Sequence, residues 1–290
     1  MTAEILTGKN VLITGATRGF GNAVAWAMWR AGANLLLTAR SQDALVALRE
    51  RLLAEKPDGR QLHLCAADLQ ESRAPREIVD EAQRVWGRLD VLVNNAAILG
   101  PVGKSWENDW SQWIATLAVD LVSPVALCRL CVSWMKETGG GSIINISGGG
   151  ATSPRPNFSA YATAKTGLVR FSEILAVEAA ALNIRVNCIA PGSMNTAMLQ
   201  AVLETGPERA GAEEYRKAEE QAQKGGASPD VASQLCVYLA SDNAQSITGK
   251  LISALWDPWR KFAEYAADLH GSDIYTLRRI VPTDRGKDWK

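Results

Sequence analysis

The stretch NVLITGATRGFG, residues 10–21, decides how this chain is read. Asn10–Thr14 is a short apolar run and predicts a strand. It leads into a loop with glycines at 15, 19 and 21, and residues Phe20–Ala31 then take helical spacing. Glycines permit a tight turn and a close approach of backbone to a pyrophosphate, while the helix N-terminus supplies free amides and partial positive charge. A glycine trio alone is a weak signal; a strand before it and a helix after it are the context that the chemistry requires. The loop Thr14–Gly21 is therefore predicted to hold a dinucleotide through Gly15, Thr17, Arg18, Gly19, Phe20 and Gly21.

The same rhythm continues outward. Asn34–Thr38, Leu62–Ala66, Val91–Asn94, Ser142–Ser147 and Arg185–Ile189 are further apolar runs, continuous rather than alternating, as strands covered on both faces are. Helical patterns lie between and after them: Gln42–Glu55, Pro75–Trp86, Trp110–Met135 with a possible break at Pro124, Ala160–Ala181 and Pro229–Ser241. Such alternation predicts an α/β fold, a Rossmann-type doubly wound parallel sheet with helices on both faces, in a single domain. Residues 1–254 form the dinucleotide-binding catalytic domain in this reading. The charged, glycine-flanked stretch 195–226 is an insertion above the sheet, a candidate lid. Residues 255–290 form a tail whose aromatics, Trp256, Trp259, Tyr265, Tyr275 and Trp289, need a surface to pack on, in their own domain or a neighbouring subunit.

The second strand ends at Thr38-Ala39-Arg40. An acidic residue there would bind a ribose diol; none is present. Arg40 and Arg18 instead suit a 2′-phosphate, which guanidinium groups hold by charge-assisted bonds. NADP(H) is favoured over NAD(H), the alternative being that the two arginines are solvated surface charges.

Composition excludes several classes. Thirty-one basic and 31 acidic residues cancel, so no electrostatic grip on nucleic acid or an anionic membrane is expected. Five cysteines, with Cys128 and Cys131 inside an apolar helical pattern, read as buried thiols. Two histidines and no H-E-x-x-H pattern argue against a metal site. The N-terminus shows no signal-peptide pattern, and no apolar run reaches the roughly 18 residues of a membrane span. A cytoplasmic location is expected.

Taken together, the motifs resemble the short-chain dehydrogenase/reductase family over about Lys9–Ile252. The glycine spacing Gly15-x3-Gly19-x-Gly21 is the family's own. Asp68-Leu69 resembles its adenine-contacting pair, and Asn94-Asn95-Ala96-Ala97 its N-N-A-G, with Ala97 for the last glycine. Tyr161-Ala162-Thr163-Ala164-Lys165 is similar to the Y-x3-K signature, and Pro191-Gly192 with Thr196 to the segment around the nicotinamide. The resemblance adds Asp68, Leu69, Asn95, Ala96, Pro191, Gly192, Thr196, Tyr161 and Lys165 to the cofactor site, with Lys165 on the ribose hydroxyls. It implies hydride transfer between a carbonyl and an alcohol, and a homodimer or homotetramer paired through the two longest helices. The chemistry has its own logic. Tyr161 and Lys165, four apart on a helix, share a face. A phenol titrates near pH 10, and a cation beside it lowers that value. A phenol so tuned exchanges a proton with a carbonyl oxygen.

Two family positions differ. Counting thirteen residues back from Tyr161, where the family has a serine, gives Gly148; Ser147 lies one step off, on the other face of a strand. In the middle helix, Asp120 stands where the family has asparagine. Losing one preorganised donor at an oxyanion costs about 10²–10³ in rate. Ser147 and Asp120 therefore join Tyr161 and Lys165 only as secondary catalytic candidates, and Ser153, Ser159 or the substrate are alternative sources of the hydroxyl. The departures keep two further readings open: a dinucleotide-binding sensor or structural partner with little turnover, and a cofactor-retaining isomerase or epimerase. On the substrate side, Ile98–Gly103, Gly148–Gly150 and the stretch from Met194 are expected to wall the pocket. Trp106, Trp110 and Trp113 read as packing or interface residues.

Overall fold

The computed structural model describes residues 4–56 and 59–289; the extreme ends of the chain, included in the domain reading above, lie outside them. Seven strands form one parallel sheet: β1 (Asn10–Thr14), β2 (Asn34–Ala39), β3 (Leu62–Ala66), β4 (Val91–Asn94), β5 (Gly141–Ile146), β6 (Ile184–Ala190) and β7 (Leu251–Ser253). Their order is β3-β2-β1-β4-β5-β6-β7. The order reverses between β1 and β4, and ligands of open α/β sheets bind at that switch point, beyond the carboxyl ends of the strands. Every residue of β1 and β4 is buried, which is why their sequence is unbroken apolar rather than alternating.

Helices cover both faces. One core gathers α1 (Gly19–Arg30), α2 (Gln42–Glu55) and α10 (Pro229–Ala240) on the sheet, with Trp29, Leu45, Leu48 and Leu235 fully buried. The other gathers α3 (Ala74–Val85), α5 (Ser123–Glu137) and α6 (Ser159–Glu178), with Ile78, Leu127 and Cys131 in its interior, while α4 (Trp110–Leu117) leads into α5. Four of the five cysteines are buried and all five are free, as the thiol reading expects; burial raises the Cys128 thiol to about 12.

Pro124 does not break the middle helix. Val122 and Ser123 before it keep helical φ and ψ, so the helix runs through it from α4 into α5. The irregularity lies just before it, a π-helical turn over Ala118–Val122, in which Ser123 N donates to Ala118 O five residues back. The whole path Trp110–Glu137 is long and apolar enough, by length and composition, to cross a membrane, contrary to the sequence expectation. Its inner residues instead pack in the second core.

The stretch 195–226 forms three helices: α7 (Ala197–Thr205), α8 (Pro207–Ala210) and α9 (Ala212–Lys224). Strand β7 and the contacts of the tail were not foreseen. Trp259, Phe262 and Leu269 are buried in the first core, and Trp259 Nε1 donates to Ala254 O at 3.0 Å. Tyr275 O accepts from Leu251 N at 2.8 Å, so the tail covers part of the outer edge of β7.

Candidate active site

The glycine loop is held from below by the end of β4. Thr14 Oγ1 accepts from the amides of Asn95 and Ala96, both at 3.0 Å, and Asn95 Nδ2 donates to Thr14 O at 2.9 Å and Gly15 O at 3.2 Å. Gly15 takes φ +66°, and a Cβ on it would sit 2.8 Å from Ala96 Cα. A Cβ on Gly21 would overlap Gly15 O and Asn95 Nδ2. The glycines are thus required by packing, and the loop keeps an open concave surface at the N-terminus of α1. Phe20 points into the core, leaving only its backbone to face a ligand. Thr196 lies 3.5 Å from where a Cβ of Gly19 would stand, so the segment Pro191–Thr196 closes over the loop from the β6 side.

Arg18 and Arg40 are both exposed and make no ion pair among the described residues. Asp68 Oδ1 caps the turn at Gln70 N, 3.0 Å, whereas Leu69 is buried in the second core with its carbonyl bonded to Ser123 Oγ at 2.7 Å. The cradle fits a dinucleotide, with one uncommitted cation, Arg18, in the glycine loop and another, Arg40, where β2 ends.

Tyr161 and Lys165 rise from the first turns of α6, and the Lys165 ammonium lies 5.5 Å from the centre of the Tyr161 ring. Lys165 Nζ donates to Ile146 O at 3.1 Å and lies 3.4 Å from Asp120 Oδ2. Asp120 is wholly buried in the π-helical turn, its Oδ1 accepting from Ile98 N at 2.9 Å. A buried carboxylate is costly unless paired, and Lys165 is the pair. Burial pushes the Asp120 carboxyl above its ordinary value despite Lys165 and the Ile98 amide. Burial would depress Lys165, but Asp120 and Tyr161 outweigh it and keep the ammonium charged.

The phenol corrects a sequence expectation. Burial pushes Tyr161 above its ordinary value; Lys165 pulls it down, Asp120 pushes it up and Arg155 pulls it down. The lysine acts in the expected direction but does not prevail, because Tyr161 is enclosed and Lys165 shares its charge with Asp120.

The serine question is also settled geometrically. Gly148 faces the phenol: a Cβ there would fall on the Tyr161 hydroxyl. Ser147 is buried with an unpartnered Oγ, so it is not the residue that meets Tyr161. Ser159 Oγ is taken by Trp113 Nε1 at 3.2 Å, and Ser153 is exposed. Trp110 stacks on Trp113 with centroids 5.2 Å apart.

Leu99, Val102, Phe158, Val202, Ala210 and Ala218 form one apolar cluster with the tyrosine, which joins the Ile98–Gly103 loop to α7–α9. Polar ties fasten the cover: Asn157 Nδ2 to Ala210 O at 3.1 Å, Arg209 Nε to Val102 O at 3.2 Å, and Arg155 Nε to Glu214 Oε1 at 2.7 Å. Sequence reasoning missed Arg155 and Phe158, which belong to an irregular loop with no periodicity to expose them.

The family model for the short chain dehydrogenases matches residues 9–206. The chain belongs to the short-chain dehydrogenase/reductase family. It is similar to an uncharacterised oxidoreductase of Mycobacterium tuberculosis, 34% identical over 252 residues, covering 85% of this chain and 90% of the relative. It is similar to the human dehydrogenase/reductase SDR family member 4, 31% identical over 249 residues, covering 85% and 86%. Among solved structures, the L-sorbose reductase of Gluconobacter frateurii, complexed with NADPH and L-sorbose, superposes with a TM-score of 0.76 at 28% identity, covering 86% of this chain and 95% of that one. As a short-chain dehydrogenase/reductase, the protein is an oxidoreductase of the nicotinamide dinucleotide, hydride-transferring kind.

Proposed function

We propose that the protein is an NADP(H)-dependent reductase converting a carbonyl to an alcohol, with Tyr161 as proton donor. The observation that carries this reading is the Tyr161–Lys165 pair on α6, with a lysine ammonium over the phenol ring. Tyr161 is protonated at neutral pH; burial, which raises the phenol, makes it a weaker acid, and Lys165, which pulls it down, works toward the proton transfer. When bound, the nicotinamide supplies hydride to the carbonyl carbon. Tyr161 Oη gives its proton to the carbonyl oxygen, and Lys165 offsets the negative charge left on the phenol. Lys165, Asn95, Ala96, Pro191, Gly192 and Thr196 hold the nicotinamide half. Gly15, Thr17, Arg18, Gly19, Phe20, Gly21, Arg40, Asp68 and Leu69 hold the other, with Leu69 acting through its backbone. The two uncommitted arginines support NADP(H) over NAD(H). A cytoplasmic homodimer or homotetramer, binding neither nucleic acid nor membrane, completes the reading.

The enclosure of Tyr161 and the glycine at 148 favour a second reading, a dinucleotide-binding protein with little turnover. Titration with NADPH followed by a carbonyl panel separates the two. Consumption of NADPH that falls about 10²-fold or more in Tyr161→Phe is expected. Tight NADPH binding with no substrate-dependent oxidation rejects the enzyme reading.

A further inference from the structure

Arg155 is a cation of the site that no cofactor motif uses. It lies in the loop between β5 and α6, its guanidinium 4.0 Å from the centre of the Phe158 ring, and Phe158 packs in the same cluster as Tyr161. Nε and Nη2 both donate to one oxygen of Glu214, on α9. Nη1 has no hydrogen bond among the described residues, and with Cδ and Cζ it lies 3.8–4.0 Å from where a Cβ of Gly149 would stand. Gly148, the next residue, carries the Tyr161 hydroxyl against it in the same way. Gly148 and Gly149 are consecutive, their Cα atoms about 3.8 Å apart, and the Arg155 charge reaches the phenol, pulling it down against the larger effect of burial.

Three features make this more than a tether. The partner carboxylate belongs to the cover, not to the sheet. Both bonds come from Nε and Nη2, so the guanidinium keeps its Nη1 donors unused. The pair is also partly exposed, 22% and 28% of the two side chains, and therefore solvent-screened and exchangeable. A guanidinium with Nη1 unused, on the loop that also meets the proton donor, matches the chemistry of a carboxylate.

We propose that Arg155 is a substrate-recognition residue that binds a carboxylate on the substrate, making the protein a reductase of oxo acids to hydroxy acids. This rests on the reading of Tyr161 as proton donor. The overall step balances: NADPH gives hydride to the oxo carbon and becomes NADP⁺, the oxo oxygen takes a proton from Tyr161, and solvent reprotonates the phenolate. The carboxylate is unchanged and only positions the oxo group.

The test pairs acids with their neutral counterparts: benzoylformate with methyl benzoylformate, and acetoacetate with methyl acetoacetate. NADPH oxidation is followed with the full-length protein and with Arg155→Leu, Arg155→Lys and Glu214→Gln. In parallel, binding of each acid to the NADPH-loaded protein is read by thermal shift. The wild type is expected to prefer at least one acid over its ester by tenfold or more in kcat/KM. Arg155→Leu should erase that ratio through KM, and Arg155→Lys should restore part of it. Glu214→Gln should keep or raise it, since a competing carboxylate is removed. Equal losses on acid and ester in Arg155→Leu, or ester turnover matching acid turnover in the wild type, overturn the proposal and leave Arg155 as a tether for α9. Arg155-dependent binding of an acid without turnover supports the recognition site and rejects the reductase reading.

Discussion

Burial sets the direction of the Tyr161 shift, and two opposed charges adjust it. Asp120 raises the phenol and Lys165 lowers it. Replacing Asp120 by asparagine removes the negative charge that disfavours phenolate, so the Tyr161 pKa must fall. In the alcohol-oxidising direction the phenolate is the active form, and activity rises with pH through the Tyr161 pKa. The rising limb of kcat against pH is therefore expected at lower pH in Asp120→Asn than in the wild type. An unmoved or alkaline-shifted limb contradicts the pairing of Asp120 with this site. Gly148 gives a second residue-scale test. A side chain there meets the phenol oxygen, so Gly148→Ser is expected to destabilise by about 1–3 kcal/mol through overpacking, measured by denaturant unfolding. A variant as stable as the wild type and more active would show that the phenol makes room for a serine. These two positions were legible as departures, Gly148 by its fixed spacing from Tyr161 and Asp120 by its place in the middle helix where the family has asparagine. What they touch was not, since sequence spacing carries no information on side-chain approach across elements.

At the scale of elements, β1, β4 and α2 match their sequence-read limits, because continuous burial on both faces, or a helix opened by Ser41 capping Ala44 N, marks the ends chemically; β3 matches too, although it is only half-buried. The middle helix was read as continuous with a proline break, and its π-helical turn was invisible: hydrogen bonding five residues back leaves no mark in hydrophobic spacing. That turn is where Asp120 enters the site. The cover α7–α9 was read as an insertion from its charge, though not its ties. Asn157 holds the left-handed conformation, φ +71°, and bonds Ala210 O. Asn157→Ala loses the bond and strains that backbone, so faster amide exchange across 205–225 than in the wild type is expected. Unchanged exchange there would mean that the apolar cluster alone holds the cover.

For the whole molecule, the apolar residues left outside are informative. Val122 and Val177 are 59% and 79% exposed, with Trp110, Ile114 and Ile174 also exposed on α4 and α6. If these helices pair two copies, Val177→Asp should lower the mass found by sedimentation, whereas an unchanged mass places any interface elsewhere. Deleting residues after Trp256 removes Trp259 and Phe262 from the core, and losses of about 3–5 kcal/mol for each large aromatic side chain predict a chain that fails to fold stably, seen as a collapsed thermal transition. The tail's aromatics signalled a packing surface; their choice of the chain's own core depended on long-range geometry that local pattern cannot carry. That choice also sets a schedule. Strand β7 leaves the ribosome more than twenty residues before Tyr275, the residue that covers its outer edge. For that interval the nascent chain offers an unpaired strand edge to its neighbours. Premature termination between Ser253 and Tyr275 should therefore yield inclusion bodies rather than merely weaker enzyme.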